Sequence, residues 1–325
     1  MKVKSIHIAI SIALLSLTFV SCNEDTLYTG PCKVRFVASV QDEVSVTRAD
    51  EDKYSPFSPS AGFNAKLFVS YEPTTGTPTA PGYTISWNGN TLSTSLALET
   101  GDYKFYGYAP ASQQFDITNK TLTISDIPGL SNTDFLVINP CSATVTSEDL
   151  LSGEKAVTLQ MDHLMAKITP CFYLNETYAA MRNIKITKVE FSLSDAATYT
   201  ANVDYDASSY TTTWNSGTTN NKSVPAFSNT DGTNNLPTAK DNALPVGHCY
   251  IVPTQSTATL KMKVTYDVYD MQDVKTRTGE AENSIKKLPA SLEAGKNYKL
   301  YIQIIPTYLY VLSDNDESSL VIPNN

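Results

Sequence analysis

The chain holds three histidines, and two of them, His163 and His248, lie beyond its apolar N-terminal run. Acid–base or metal chemistry near neutral pH would have to pass through these two. His163, in "LQMDHLMAKI", alternates with apolar residues, and reads as a hydrogen-bonded histidine at a strand end rather than a base. His248 stands beside Cys249 in "GHCYIVP", the composition of an activated thiol. Neighbouring residues of a strand point to opposite faces, so this pair cannot meet. Asp267 and Asp270 in "TYDVYD" also fall on opposite faces of an expected strand, which denies them paired-carboxylate chemistry. The chain contains neither a glycine-rich phosphate loop nor a nucleophile elbow. The sequence therefore predicts a non-enzymatic protein with no catalytic residue, metal or cofactor.

One residue invites a different chemistry, in which the chain is the substrate. In "EVSVTRADEDK", Glu43 to Lys53, a lone arginine, Arg48, stands among acids between a strand-like segment and a run of turn formers. A solvated loop arginine is the plain reading. The alternative is a seam built to be cut at Arg48–Ala49.

The N-terminus bears on that choice. "MKVKSIHIAISIALLSLTFVSCNED" joins a basic start, Lys2 and Lys4, to an apolar core from Ile6 to Val20. That run is short for a membrane span, which needs about 20 apolar residues, and it fits a secretory signal. "FVSC" resembles a lipoprotein signal box, with Phe19 where Leu is usual, and predicts Cys22 as the lipidated first residue of the exported chain. An ordinary signal peptide with an unmodified Cys22 is the other reading. A lipid at Cys22 would tether the chain to a membrane without spanning it. The acids of "NED" resemble a surface-export signal.

The remaining chain is long enough for two cores. Only 18% of residues are charged, 19 are tyrosine, and the net charge is −9. This composition suits β-sheet with polar loops and argues against nucleic acid as a partner. Besides Cys22, Cys32, Cys141, Cys171 and Cys249 remain. They suffice for disulfides in three connectivities, or serve equally well as free buried thiols.

Short alternating segments dominate. "KVRFVASV" sets Val34, Phe36, Ala38 and Val40 on one face. Similar segments recur to "KNYKLYIQII", separated by Gly, Pro and Asn. Helical periodicity is nearly absent, with "TSEDLLSG" and "NETYAAMRN" each expected to give a turn or two. The pattern predicts an all-β protein of two β-sandwiches. Glu72 to Gly82 and Trp214 to Pro245 read as polar loops, the second long enough to be a variable insertion, a binding edge or a disordered segment. Trp87, Trp214, Tyr103, Tyr106 and Tyr108 could form a sugar-stacking platform, although aromatics at strand spacing mostly pack cores.

Taken in order, "SVTRAD", "GDYKFYGYAP", "TDFLVINP", "VTLQMDHLMAKITPCF", "GHCYIVP" and "LEAGKNYKLYIQI" resemble the fimbrillin-like lipoproteins, the subunits of type V pili. The resemblance implies two tandem transthyretin-like β-sandwich domains. Carried onto this sequence, it implies a signal peptide over 1–21, an N-terminal segment over 22–48, sandwiches over 49–160 and 161–306, and a tail over 307–325. It further implies export to the outer membrane, then cleavage after Arg48 by a trypsin-like or Arg-specific protease. The strand from Val34 to Val40 would leave, a chain starting at Ala49 would remain, and another subunit's C-terminal segment would fill the groove in a cell-surface fimbrium.

After Pro306 the tail "TYLYVLSDNDESSLVIPNN" offers Tyr308, Tyr310 and Leu312, then Leu320 and Ile322, as donor residues. If this tail only completes its own sheet, the chain would suit a strand-accepting pilus tip. Partners on these readings are other pilus subunits and a host or bacterial surface ligand. The competing reading is a surface-anchored, glycan-binding lipoprotein.

Overall fold

Alternation in "KVRFVASV" and its successors produces strands because each pleat sends successive side chains to opposite faces. A computed structural model describes residues 30–41, 54–56, 63–72, 83–88, 91–93, 95–111, 115–118, 121–205, 209–286, 288–289, 292–305, 308–313 and 316–321. In chain order the strands are β1 (Cys32–Gln41), β2 (Tyr54–Pro56), β3 (Asn64–Glu72), β4 (Tyr83–Asn88), β5 (Thr91–Ser93), β6 (Ala97–Leu98), β7 (Gly101–Ala109), β8 (Phe115–Thr118), β9 (Thr121–Pro128), β10 (Leu130–Ser131) and β11 (Leu136–Val145). There follow β12 (Glu154–His163), β13 (Ala166–Leu174), β14 (Asn183–Tyr205), β15 (Tyr210–Ser228), β16 (Leu244–Pro245), β17 (Cys249–Ile251), β18 (Lys261–Tyr269), β19 (Lys275–Ser284), β20 (Asn297–Ile304), β21 (Tyr308–Ser313) and β22 (Asp316–Val321). Two short helices, α1 (Ser147–Ser152) and α2 (Glu176–Ala179), match the two expected helical turns. The protein is all-β, as its patterning predicts.

The first sheet runs β2-β1-β12-β11-β7-β3-β4-β5, with β6 also on β1. Its strands enclose an apolar cluster that includes Val34, Phe36, Leu67, Ile85, Phe105, Leu159 and Met161. The opposite face of its central strands sends Phe68, Tyr106, Tyr108 and Val137 into a second cluster, against β9 and the last third of β14. A third cluster fills the space between β14 and β18 on one side and β13, β17 and β20 on the other. Gly107 is required where these layers meet: a Cβ there would lie 2.1 Å from the Lys66 carbonyl oxygen. Its own carbonyl accepts the Tyr205 hydroxyl at 3.1 Å.

Strand β14 ties the layers together. It pairs with β18 from Asn183 to Ser192, then with β9 from Thr198 to Asp204. The two alternating runs "IKITKVEFSL" and "TYTANVDYD" are thus one strand, because register shifts between Leu193 and Ala196 and elsewhere let it turn from one neighbour to the next. The expectation of a loop over Trp214 to Pro245 is corrected: β15 continues to Ser228, paired antiparallel to β14. Backbone ladder bonds need no apolar side chains, and this strand's outward residues are polar. The Glu72–Gly82 loop lies largely outside the described residues.

Candidate assembly site

Strand β1 runs parallel to β12, in register from Lys33 opposite Glu154 to Val40 opposite Met161. Cys32, Val34, Phe36 and Ala38 are buried in the enclosed cluster, with Val40 packed at its margin. Phe36 meets Phe105 edge to face. The alternate residues face solvent: Arg35 makes a half-exposed ion pair with Glu154 at 3.3 Å, and Val37 is exposed. Burial, and secondarily the nearby Asp149 carboxylate, raise the Cys32 thiol pKa and keep it neutral.

The two edges of β1 are unequal. One is bonded along its length to β12; the other meets β6 only at Cys32 and Lys33, and β2 only from Ser39 to Gln41. Strand β12 in turn meets β11 only from Met161 to His163. Among the described residues, therefore, β1 is the ladder partner of β12 from Glu154 to Gln160. Taking β1 away would leave that row of backbone groups unpaired and open the cluster beneath it.

At the Cys32 end, α1 closes the site. Thr146 and Asp149 form a reciprocal capping box, and Gly153 ends the helix in the left-handed region at φ 75°. The Gly153 carbonyl accepts the Lys33 backbone N–H at 3.1 Å. At the Gln41 end, Gln41 pairs with Tyr54, so Arg48 and Ala49 fall in the connection between two paired strand ends. Both residues, and Cys22, lie outside the described residues.

The tail folds on itself. β21 and β22 form a two-stranded antiparallel sheet that joins no other among the described residues, with Tyr308 opposite Val321 and Leu309 opposite Leu320. Tyr308, Tyr310 and Leu312 stand on β21 and Leu320 on β22; Ile322 lies outside the described residues. In one extended strand Leu320 would share a face with Tyr308, whereas in this register it stands opposite Leu309. The hairpin and a single donor strand are alternative forms.

The residues considered for chemistry occupy structural positions. The Nδ1 of His163 meets the Asp134 carboxylate at the end of β12. His248 packs against Tyr250, ring centroids 5.2 Å apart, while Cys249 is fully buried. Asp267 is buried, held by Lys275 at 2.8 Å and the Thr278 hydroxyl at 2.6 Å. Asp270 is not on the strand as expected. It lies in the turn beyond, where its carboxylate accepts the Gln272 and Val274 N–H groups at 2.9 Å.

Tyr106 and Tyr108 are core residues, Tyr103 donates to the Glu99 carbonyl, and Trp214 packs half-buried on Tyr199. The Trp87 side chain is outside what the structure describes. Cys32, Cys141, Cys171 and Cys249 are all free thiols. No group of three or more His, Cys, Asp or Glu that could hold a metal ion occurs among the described residues. Nor is any described helix long and apolar enough to cross a membrane.

A fimbrillin-like family model matches residues 82–319. The chain belongs to the fimbrillin-like family. That membership supports a pilus-type or adhesin-like subunit that acts at the cell surface and assembles with other subunits. Three solved structures resemble this fimbrillin-like chain. A candidate cell adhesion protein from Bacteroides fragilis NCTC 9343 is 12% identical with a TM-score of 0.49, covering 91% of this chain and 98% of its own. Another from Bacteroides uniformis ATCC 8492 is 15% identical with a TM-score of 0.44, covering 83% and 93%. A fimbrial protein from Bacteroides vulgatus ATCC 8482 is 14% identical with a TM-score of 0.36, covering 82% and 95%. No curated protein matches the chain.

Proposed function

We propose that this fimbrillin-like chain is a structural subunit of a type V pilus. It is exported as a lipoprotein anchored through Cys22 in the outer membrane, and an Arg-specific protease cuts between Arg48 and Ala49. β1 then leaves, and a strand from another subunit's tail replaces it. The observation that carries this reading is the dependence of β12 on β1: from Glu154 to Gln160 its ladder is completed by a strand that a cut after Arg48 would sever from the rest of the chain. Burying Val34, Phe36 and a comparable set of donor side chains gives about 1.5–3 kcal/mol each before entropic costs. Severing β1 from the chain removes its high local concentration, so an incoming strand competes on equal terms. Exposed ladder edges are natural sites of strand addition.

The test is limited proteolysis of the purified precursor, followed by N-terminal sequencing and denaturant-free electrophoresis. A new N-terminus at Ala49 and a ladder of polymers are expected, both abolished by Arg48→Gln. A precursor that stays monomeric after a clean cut at Arg48 would sink the strand-exchange reading. Ladders that form only when a different subunit supplies the tail would make this chain a strand-accepting tip.

A further inference from the structure

One end of the molecule gathers exposed apolar side chains that its own packing does not use. β13 and β20 run parallel and finish together, Leu174 opposite Ile304, and the Asn175 N–H donates to the Ile304 carbonyl. α2 then carries the chain across to β14, which begins at Asn183 opposite Tyr269, the last residue of β18. The β18–β19 turn therefore lies at this same end, held by Lys185 through its ion pair with Asp273 at 3.4 Å and its contact with the Tyr269 ring. Here Met181 is 46% exposed, Met271 56%, Val274 57% and Ile305 52%.

The opposite end is set by the first sheet. β12 begins at Glu154, beside α1 and the Cys32 end of β1, and finishes at His163, where the short turn at Leu164 and Met165 leads into β13. The Gln41 end of the β1 site thus faces the chain's own second half. The Cys32 end faces outward, with Leu151 of α1 standing 53% exposed beside it.

The tail leaves from the first of these ends, and only Pro306 and Thr307 separate Ile305 from Tyr308. Three residue steps reach about 10 Å at full extension. We infer that the end carrying Met181, Met271, Val274 and Ile305 packs directly against the α1 mouth of the next copy's β1 site, forming a second interface beside the exchanged strand. The inference rests on the strand-exchange reading, with β21 as the inserted segment. A donor that follows the path of β1 enters at the outward Cys32 end, and its short tether leaves the two subunits no room to stand apart. The contact joins two different patches, so it propagates an open filament rather than closing a dimer.

The test has two arms, both on the full precursor cleaved at Arg48. In the first, the double variant Met271→Asp and Val274→Asp should be cut normally, melt at the wild-type temperature, and form ladders about tenfold more slowly or worse. In the second, Leu151→Cys and Met271→Cys in one chain should give cross-linked dimers with a short bismaleimide in the polymer, but not in the uncut monomer. Wild-type ladder rates in the first arm, or intact ladders without cross-links in the second, overturn the inference. If the wild-type chain forms no ladders, or forms them equally well without residues 307–325, the underlying strand-exchange reading has failed instead.

Discussion

Phe36 of β1 and Phe105 of β7 meet edge to face, ring centroids 5.7 Å apart and planes at 81°. The strand proposed to be discarded therefore supplies an aromatic at the centre of the first sheet's core. Phe36→Ala should lower the stability of the uncut precursor by about 3 kcal/mol, the usual scale for emptying a buried aromatic site. Urea unfolding of the precursor measures this. The same variant, once cut and polymerised, should match wild type, since its altered strand is gone. Equal destabilisation of the polymer would mean that β1 stays in place.

The ladder between β1 and β12 predicts a protection cycle. Backbone amides of β12 that depend on β1 should exchange slowly with solvent deuterium in the precursor, faster after cleavage and strand release, and slowly again in the polymer. The Cys32 thiol offers a parallel reading, since it is fully buried in place and should react with maleimide only once β1 has left. Hydrogen exchange resolved on peptides covering 154–160 checks the first statement. Uniform protection through all three states would contradict it.

How far the sequence foretold this arrangement varies residue by residue. The inward set Val34, Phe36 and Ala38 was legible because a half-buried strand imposes a period of two. The parallel partnership with β12 was not, because alternation says which face is buried and nothing about which strand lies alongside. β15 and β19 escaped notice for a related reason: "TTTWNSGTTNN" and "KTRTGEAENS" carry polar residues on nearly every exposed position, and their backbone bonds to β14 and β18 hold them in place. His163 was readable as a strand-end histidine, whereas its partner Asp134 lies far off in sequence and only the fold unites them. Opposite strand faces already deny Asp267 a carboxylate partner in Asp270, but its burial is not legible, since Lys275 and Thr278, which neutralise and hold it, come from the next strand.

Acidification should loosen the α1 mouth of the site. The Asp149 carboxylate accepts the Thr146 backbone N–H at 2.8 Å and pairs with Lys155 at 3.0 Å. The first of these contacts is the larger cause of a pKa held below the ordinary aspartate value. A lowered folded-state pKa stabilises the fold above the unfolded-state value, about 3.9, and that contribution fades as pH falls through the lowered one. Asp149→Asn should therefore reduce the melting temperature at neutral pH and flatten its decline below about pH 4. A variant whose acid profile parallels wild type would remove Asp149 from this role.

The tail gives the sharpest separation of folding from assembly. Among the described residues β21 and β22 pair only with each other, and a lone two-stranded hairpin is marginally stable in water. Deleting residues 307–325 should therefore leave the melting temperature and the cut at Arg48 unchanged while abolishing ladders. Point variants divide the tail further. Tyr310→Asp on β21 should block chain growth if that strand enters the groove, while Leu320→Asp on β22 should then be tolerated, because a ten-residue strand following the path of β1 from Tyr308 is filled before Leu320 is reached. The reverse result would assign insertion to β22, lengthen the tether well beyond Pro306 and Thr307, and free neighbouring subunits from close contact. Growth kinetics of these two variants thus decide which strand is donated and how closely the subunits must stack.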